Sequence, residues 1–355
     1  MKIQNFINGD FAEPISGNYF DNITPVTGEV YSQIPDSDSS DIDLAVASAK
    51  EAFKSWSKLS KNKRYDHIMR LADEIEAHFD ELVEAESKDN GKPEWLARSV
   101  DIPRASENFR FFATASLHFD SEIHEMDGKA LNYTLRQPVG VVGCISPWNL
   151  PLYLLTWKIA PALAAGNTVV AKPSEITPMT AYLFSKICQK ADFPKGVINI
   201  VHGYGHKVGD ALSRHPDVPI ISFTGGTATG EKIAAVAAPM FKKLSLEMGG
   251  KNPNIIFEDA DFDNAVKMSA KAAFSNQGQI CLCGSRLFVQ ESIYDKFRTA
   301  VIQETQTLKV GDPKDEKSNL GAVVSKPHME KILNCIDDAK AEGGEILTGG
   351  NRVIL

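Results

Sequence analysis

From residue 139 to residue 247, short runs rich in β-branched apolar residues alternate with segments of helical period. No other feature restricts the fold as strongly. Strands are expected at 139–145, 168–171, 197–201, 220–223 and 243–247. Helices are expected at 151–165, from Pro178 to about Lys190, at 206–214 and at 227–238. Strands joined through helices of this length lie parallel, because each connection must cross back over the sheet. A parallel sheet is covered on both faces, which explains why the strands are apolar throughout. The expected class is α/β, with a doubly wound parallel sheet. Such sheets bind ligands at the carboxyl ends of their strands.

The flanking segments read differently. Residues 1–35 carry Asn8-Gly9, Ser16-Gly17 and Thr27-Gly28, so they read as turns between short strands. An amphipathic helix is expected at 41–59. A second, longer helix carries the stripe Tyr65, Ile68, Leu71, Ile75, Phe79 and Leu82 toward a stop at Gly91 and Pro93. A third is expected at 94–116. Residues 122–137 are polar with alternating Leu131, Tyr133 and Leu135, the pattern of an extended arm or hairpin outside the core. After Gly249-Gly250 the pattern restarts, with strands expected at 254–257 and 286–290 and helices at 263–276, 291–307 and 327–342. A domain boundary is expected at 248–250.

Composition removes several function classes. The chain has 355 residues, enough for two or three domains, and a formal net charge of -8. It offers neither a basic footprint nor a local Lys/Arg run for nucleic acid. It has no stretch of about 18 apolar residues for a membrane span, and Met1 to Asn5 lacks the apolar region of a secretory signal. The five cysteines, Cys144, Cys188, Cys281, Cys283 and Cys335, are an odd and sparse set. They argue against a disulfide framework and for a reducing compartment, the cytoplasm. Cys281 and Cys283 have no second pair or His cluster to make a zinc site. Either one thiol is chemical, or all five are buried small hydrophobes.

Several strand ends carry chemical groups. Gly203, Gly205 and Gly209 resemble a dinucleotide fingerprint poorly, with the third glycine one residue late, and a plain strand-to-helix turn is the better reading. Phe223-Thr224-Gly225-Gly226-Thr227, followed by Gly230, leaves a buried strand and opens a helix, where backbone N–H groups can approach an anion. Lys172 and Glu175 lie just past a strand end. A donor and an acceptor there suit two ribose hydroxyls, and the carboxylate repels a 2′-phosphate; the alternative is a solvated pair in a loop. Cys281 follows a helix and a Gly turn. Glu247 precedes two glycines at another strand end, and Asn149 sits between prolines at a third. A thiol with a base can form and hydrolyse a thioester, and an amide can hold an oxyanion.

Taken together, Pro147-Trp148-Asn149, Lys172-Pro173-Ser174-Glu175, Phe223 to Thr227, Leu246 to Lys251 and Gly278 to Cys281 resemble the aldehyde dehydrogenase superfamily, in order, from about residue 3 to the last residue. The resemblance implies NAD-dependent oxidation of an aldehyde to a carboxylate, with NAD favoured over NADP. Cys281 would attack the aldehyde. Asn149 and the Cys281 backbone N–H would hold the oxyanion, and Glu247 would activate the hydrolytic water. Lys172 and Glu175 would hold the adenine ribose. Ser146, Trp148, Gly205, Gly209, Phe223, Thr224, Gly225 and Gly226 would complete the cofactor surface. The implied domains are an NAD-binding domain of residues 1–119 and 139–248, an oligomerisation arm of 120–138, and a second α/β catalytic domain of 249–355.

Two finer expectations follow from the resemblance. Trp148 to Leu152 with Thr156-Trp157-Lys158, and Asp101 to Arg104 with Asn108-Phe109-Arg110, are similar to the muconic-semialdehyde dehydrogenases. Substrates of that branch carry a carboxylate, and Arg104 is the candidate cation for it; a surface arginine is the alternative. The family also continues past the position of Leu355, through a Glu-x-Phe-Gly-Pro stretch and a C-terminal strand. The catalytic domain is therefore expected to be incomplete, with exposed apolar surface, and the full-length protein to be a homo-oligomer. A CoA-acylating enzyme and a catalytically silent NAD-binding homologue are the competing readings.

Overall fold

The computed structural model describes residues 1–354. The chain opens with two short hairpins, β1 (Asn5–Ile7) with β2 (Asp10–Ala12), and β3 (Tyr19–Ile23) with β4 (Val30–Pro35). Then come α1 (Ser39–Trp56), α2 (Lys61–Ala77), α3 (Phe79–Asn90) and α4 (Glu94–Leu96). A π-helical turn (Ala97–Asp101) leads into α5 (Ile102–Leu117). An exposed hairpin, β5 (Ile123–Met126) with β6 (Ala130–Tyr133), precedes the alternating region. That region runs β7 (Val141–Ile145), α6 (Pro151–Ala164), β8 (Thr168–Lys172), α7 (Met179–Lys190), β9 (Ile198–Ile200), α8 (Asp210–Arg214), β10 (Ile220–Gly225), α9 (Thr227–Ala237) and β11 (Lys243–Met248). The remainder holds β12 (Pro253–Ile256), α10 (Phe262–Phe274), β13 (Arg286–Val289), α11 (Tyr294–Gln306) and α12 (Lys326–Ala341).

The main sheet has seven strands in the order β11-β10-β7-β8-β9-β1-β2. The five strands from β11 to β9 pair in parallel, and the β1–β2 hairpin adds antiparallel to β9. Strands are added outward from β7 in both directions, so the order reverses between β7 and β10. Helices cover both faces. Val142, Cys144, Val169 and Ala171 pack with α2, α5, α6 and α7, while Val141, Ile145 and Val170 pack with α1, α8 and α9. Alternate residues of one strand thus enter opposite cores, as the two-residue repeat requires. β12 and β13 form a separate two-stranded parallel sheet beneath a small cluster of Ile256, Val266 and Phe297. Ile255, Phe257, Leu287 and Phe288 on or beside these strands are exposed.

Local departures from the sequence reading have identifiable causes. The long second helix is two helices, broken at His78, whose backbone leaves the helical region (φ -109, ψ 24). Its Nδ1 lies 2.8 Å from the Glu74 carbonyl, and its own N–H donates to that same oxygen. The apolar stripe runs on across the break because both helices face one core. The third helix contains the π turn, with Ala97 and Asp101 buried at its two ends. Extra residues in a turn are a recognised mark of functional sites. The helix expected at 206–214 begins with a second π turn, Gly205–Gly209, and only Asp210–Arg214 is α-helical. Gly230 permits a close approach of α9 to β11: a Cβ there would lie 2.7 Å from Met248 Sδ, so the Met248 side chain would have to shift.

His202, just past β9, is fully buried, and neither ring nitrogen has a hydrogen-bond partner. Burial, then the nearby Lys172 charge, pushes the imidazole down to about 3. The unfolded chain takes up a proton near the ordinary value of about 6.5 and the folded chain does not. Stability is therefore lost as pH falls below that value, by up to about 1.4 kcal/mol per unit from this residue. The difference in unfolding free energy between wild type and His202→Leu, measured between roughly pH 4.5 and 7, should shift against the wild type as pH falls. Parallel curves would show that His202 does not carry this dependence.

Candidate active site

The reversal of strand order puts the ends of β7 and β10 side by side, with β11 next to β10. Ligands bind at such switch points because the chain leaves adjacent strands toward opposite faces and opens a crevice. Ser146-Pro147-Trp148-Asn149 leaves β7 there, Thr224-Gly225-Gly226 leaves β10, and Glu247 lies one residue before the end of β11. Glu247 and Thr224 are paired in register.

The segment containing Cys281 is drawn to this crevice by carboxamides. Asn149 Nδ2 donates to the Gln279 carbonyl at 2.9 Å, two residues before the thiol. Asn276 Nδ2 donates back to the Asn149 carbonyl at 3.0 Å. Asn252, just past the Glu247 motif, donates from Nδ2 to the carbonyls of Cys281 at 2.7 Å and Cys283 at 3.1 Å. Gln279 Oε1 accepts from Val324 N at 3.0 Å, and Gln277 Nε2 donates to the Ala322 carbonyl at 2.9 Å. Asn276 and Gln277 both hold left-handed backbone, with φ of 52° and 60°, followed by Gly278 at 73°. Two such non-glycine residues in a row cost on the order of 1–3 kcal/mol each, and the surrounding carboxamide bonds hold them there. Cys281 itself is half-buried.

Glu247 is exposed, and no hydrogen bond or ion pair joins it to Cys281 among the described residues. Its nearby charge is Lys158, a buried lysine of α6 whose Nζ lies 3.3 Å from Ser222 Oγ. Burial pushes Lys158 down to about 8, against the pull of Cys144 and Glu247. Sequence reasoning assigned Lys158 no role, although it is the single charge in an otherwise apolar helix. Asn252, Asn276 and Gln279 were missed as well. Their only signal is a clustering of carboxamides around Gly278 and after Gly250.

The cofactor candidates divide into groups. Lys172 ends β8, is buried, and pairs with Glu175. Glu175 Oε1 also accepts from Gly205 N at 3.2 Å. Burial is the largest effect and would raise the Glu175 carboxyl, but the Lys172 charge together with hydrogen bonds from Lys172 and from the Glu175 and Gly205 backbone brings the net direction down. A Cβ on Gly205 would lie 3.7 Å from Glu175 Oε1 and 4.0 Å from Lys172 Nζ, so the glycine borders the pair at ordinary contact distance. Gly226 precedes α9 with nothing within 4 Å of a built Cβ, and the helix has no side-chain cap, which leaves its first N–H groups for a ligand. Ser146 Oγ is buried without a partner, and Phe223 is buried beneath Gly225. These groups fit a dinucleotide: a ribose pair, an open helix N-terminus and an orphaned hydroxyl along one row of strand ends. Trp148, in the same turn as Ser146, packs edge-on to His328 at 4.9 Å between centroids. Gly209 ends the π turn and, like Gly226, has nothing within 4 Å of a built Cβ. Arg104 is partly exposed on α5, 3.2 Å from Tyr153 Oη and over that ring. A cavity of about 1190 Å³ between the β3–β4 hairpin and α12 is lined by Glu175 and Gln277 but not by Cys281, Glu247 or Asn149.

A model of the aldehyde dehydrogenase family matches residues 11–354. A 2-aminomuconic semialdehyde dehydrogenase of Homo sapiens is 52% identical over 350 residues, covering 98% of this chain and 72% of that protein. A 2-hydroxymuconic semialdehyde dehydrogenase of Pseudomonas sp. (strain CF600) is 44% identical over 98% of this chain and 73% of its own length. The solved structure of an aldehyde dehydrogenase from Bacillus cereus in complex with NAD+ superposes with a TM-score of 0.98 at 39% identity, covering 100% of this chain and 73% of the other.

The five free thiols differ in environment. Cys144 is pushed up to about 12 by burial, and Cys188 and Cys283 are also raised by burial. Cys335 is exposed. Only thiolate at an accessible sulfur alkylates readily. Brief iodoacetamide treatment of the folded protein should label Cys281 and Cys335 and spare the other three. Rapid labelling of Cys144 or Cys188, read by peptide mass spectrometry, would contradict the burial described.

Proposed function

This chain belongs to the aldehyde dehydrogenase family, and we propose that it oxidises a carboxylate-bearing semialdehyde with NAD through a covalent intermediate on Cys281. The observation that carries the reading is the 2.9 Å bond from the Asn149 amide to Gln279, which sets an oxyanion donor beside the thiol at the switch point of the sheet. The Cys281 thiolate adds to the aldehyde carbon, and the carbonyl oxygen becomes an oxyanion. Asn149 Nδ2 and the Cys281 backbone N–H donate to that oxyanion. Lys172, Glu175, Ser146 and the open turn at Gly225-Gly226 would hold NAD, which supplies the hydride acceptor that turns the thiohemiacetal into a thioester. Glu247 takes a proton from water, which then attacks the thioester carbon and releases the carboxylate and the Cys281 thiol.

The names of the muconic-semialdehyde relatives support a substrate with a carboxylate at its far end. Arg104 is the cation assigned to it. The guanidinium is held by the Tyr153 hydroxyl and ring and by an ion pair with Glu107 at 3.5 Å, from which the substrate carboxylate would have to draw it. Residues 1–119 and 139–248 form the cofactor-binding domain in this reading, 249–355 the catalytic domain, and the exposed β5–β6 hairpin at 120–138 an arm for a second copy.

Three substitutions test these roles through NADH absorbance. Cys281→Ala should abolish turnover. Glu247→Gln should give a first burst of NADH and then stall with acyl group bound to the protein, detectable by mass. Steady turnover in Glu247→Gln would remove it as the hydrolytic base and favour transfer to another acceptor. Arg104→Ala should raise KM for a muconic-type semialdehyde about tenfold, the loss of one charge-assisted contact, and leave KM for a neutral aldehyde unchanged. An equal effect on both would assign Arg104 to the surface.

A further inference from the structure

A buried charge cluster lies directly behind Asn149. Lys92 has no solvent exposure, and its Nζ donates to Glu86 Oε1 at 3.3 Å, Asp101 Oδ1 at 3.0 Å and the Asn149 backbone carbonyl at 3.1 Å. Three acceptors use up the three donors of an ammonium. Glu86 and Asp101 are fully buried too, so two carboxylates share one cation. Burial raises both carboxyls, and Lys92 pulls each back.

Three separate pieces of backbone build the cluster. Glu86 lies in α3, and Asp101 is turned inward by the end of the π turn. Lys92 follows Gly91, whose left-handed φ of +84° ends α3. A Cβ at Gly91 would lie 2.7 Å from the Ala322 carbonyl, so the reversal that aims Lys92 back at its own helix requires glycine.

The Asn149 carbonyl also accepts from Asn276 Nδ2 at 3.0 Å and Asn90 Nδ2 at 3.4 Å. Three donors converge on an oxygen with two lone pairs. The same residue's side chain donates to the segment carrying Cys281. Burying three charges gains little stability, because the desolvation cost is comparable to the attraction. The contact with Asn149 gives the cluster a different use.

We propose that Lys92, oriented by Glu86 and Asp101, is a positioning residue for Asn149: its ammonium fixes the Asn149 carbonyl so that the side-chain amide stands ready for the oxyanion. This rests on the function proposed above. Lys92 acts through Asn149, by the same logic as the outer groups that orient the ligands of a metal.

Lys92→Met alone would strand two buried carboxylates and can unfold the chain. The test therefore uses Lys92→Met together with Glu86→Gln and Asp101→Asn, and follows NADH formation in a single turnover. The triple variant should lose about 10- to 100-fold in that rate, with KM for NAD unchanged. Asn149→Ala should lose about 100- to 1000-fold. The decisive arm combines them: on the Asn149→Ala background the triple substitution should cost less than about twofold, since coupled residues are not additive. A loss of the same size on both backgrounds means that the cluster is merely structural and overturns the proposal. If the triple variant does not fold, Asp101→Asn goes through the same cycle, and its loss must likewise vanish without Asn149. A wild-type rate in Asn149→Ala would overturn the oxyanion role itself, and the positioning role with it.

Discussion

A parallel sheet buried on both faces, with its strand order reversing between β7 and β10, is the constraint on which the rest of this structure depends. Each strand must feed a helix that crosses back over the sheet, and right-handed crossovers send successive helices to one face on one side of β7 and to the other face on the other side. The loops leaving β7 and β10 therefore diverge, and the segment carrying Cys281 is bonded to Asn149 at that point. Asn149, the Thr224–Gly226 turn and Glu247 all lie at this edge of the sheet because of where their strands end.

The second constraint is polar. The segment from Asn276 to Cys283 belongs to a different part of the chain and packs little apolar surface against the sheet. Carboxamides fix it instead. Asn149, Asn252, Asn276, Gln277 and Gln279 each donate or accept across a chain separation of about 30 residues or more. An amide suits this use: it both donates and accepts, it carries no charge to perturb a nearby thiol, and its bonds are directional. The two left-handed residues before Gly278 show that the loop conformation is imposed by these bonds and not chosen locally. The charge nearby is kept behind the loop, where Lys92 is shared among three oxygens.

Apolar period and turn chemistry made much of this legible in advance. The five parallel strands from β7 to β11 fall within about two residues of where the β-branched runs put them, since a strand buried on both faces leaves an unmixed signal. Thr224-Gly225-Gly226 opens a helix as its glycines suggest, and Lys172, Glu175 and Gly205 meet, although they were read from two different motifs. The break at His78 and the π turn before Ile102 were not legible. Both leave the apolar stripe intact, so the period carries no trace of them. Trp148 rests on His328, a partner some 180 residues away that no local pattern names.

The sequence by itself determined the class of fold, the strand ends that carry polar groups, and the order of motifs that resembles a family, because each is a local or periodic property of the chain. Only the tertiary structure decided which of those groups meet. Lys92 reads in sequence as one lysine beside a glycine and a proline, yet it is buried against the carbonyl of Asn149. Lys158 reads as one charge in an apolar helix, yet it lies near Glu247. A buried charge is stable only beside partners that satisfy it, and those partners come from residues 6, 9, 57 and 64 positions away along the chain. The longer separations are contacts that no sequence window spans and that folding alone creates.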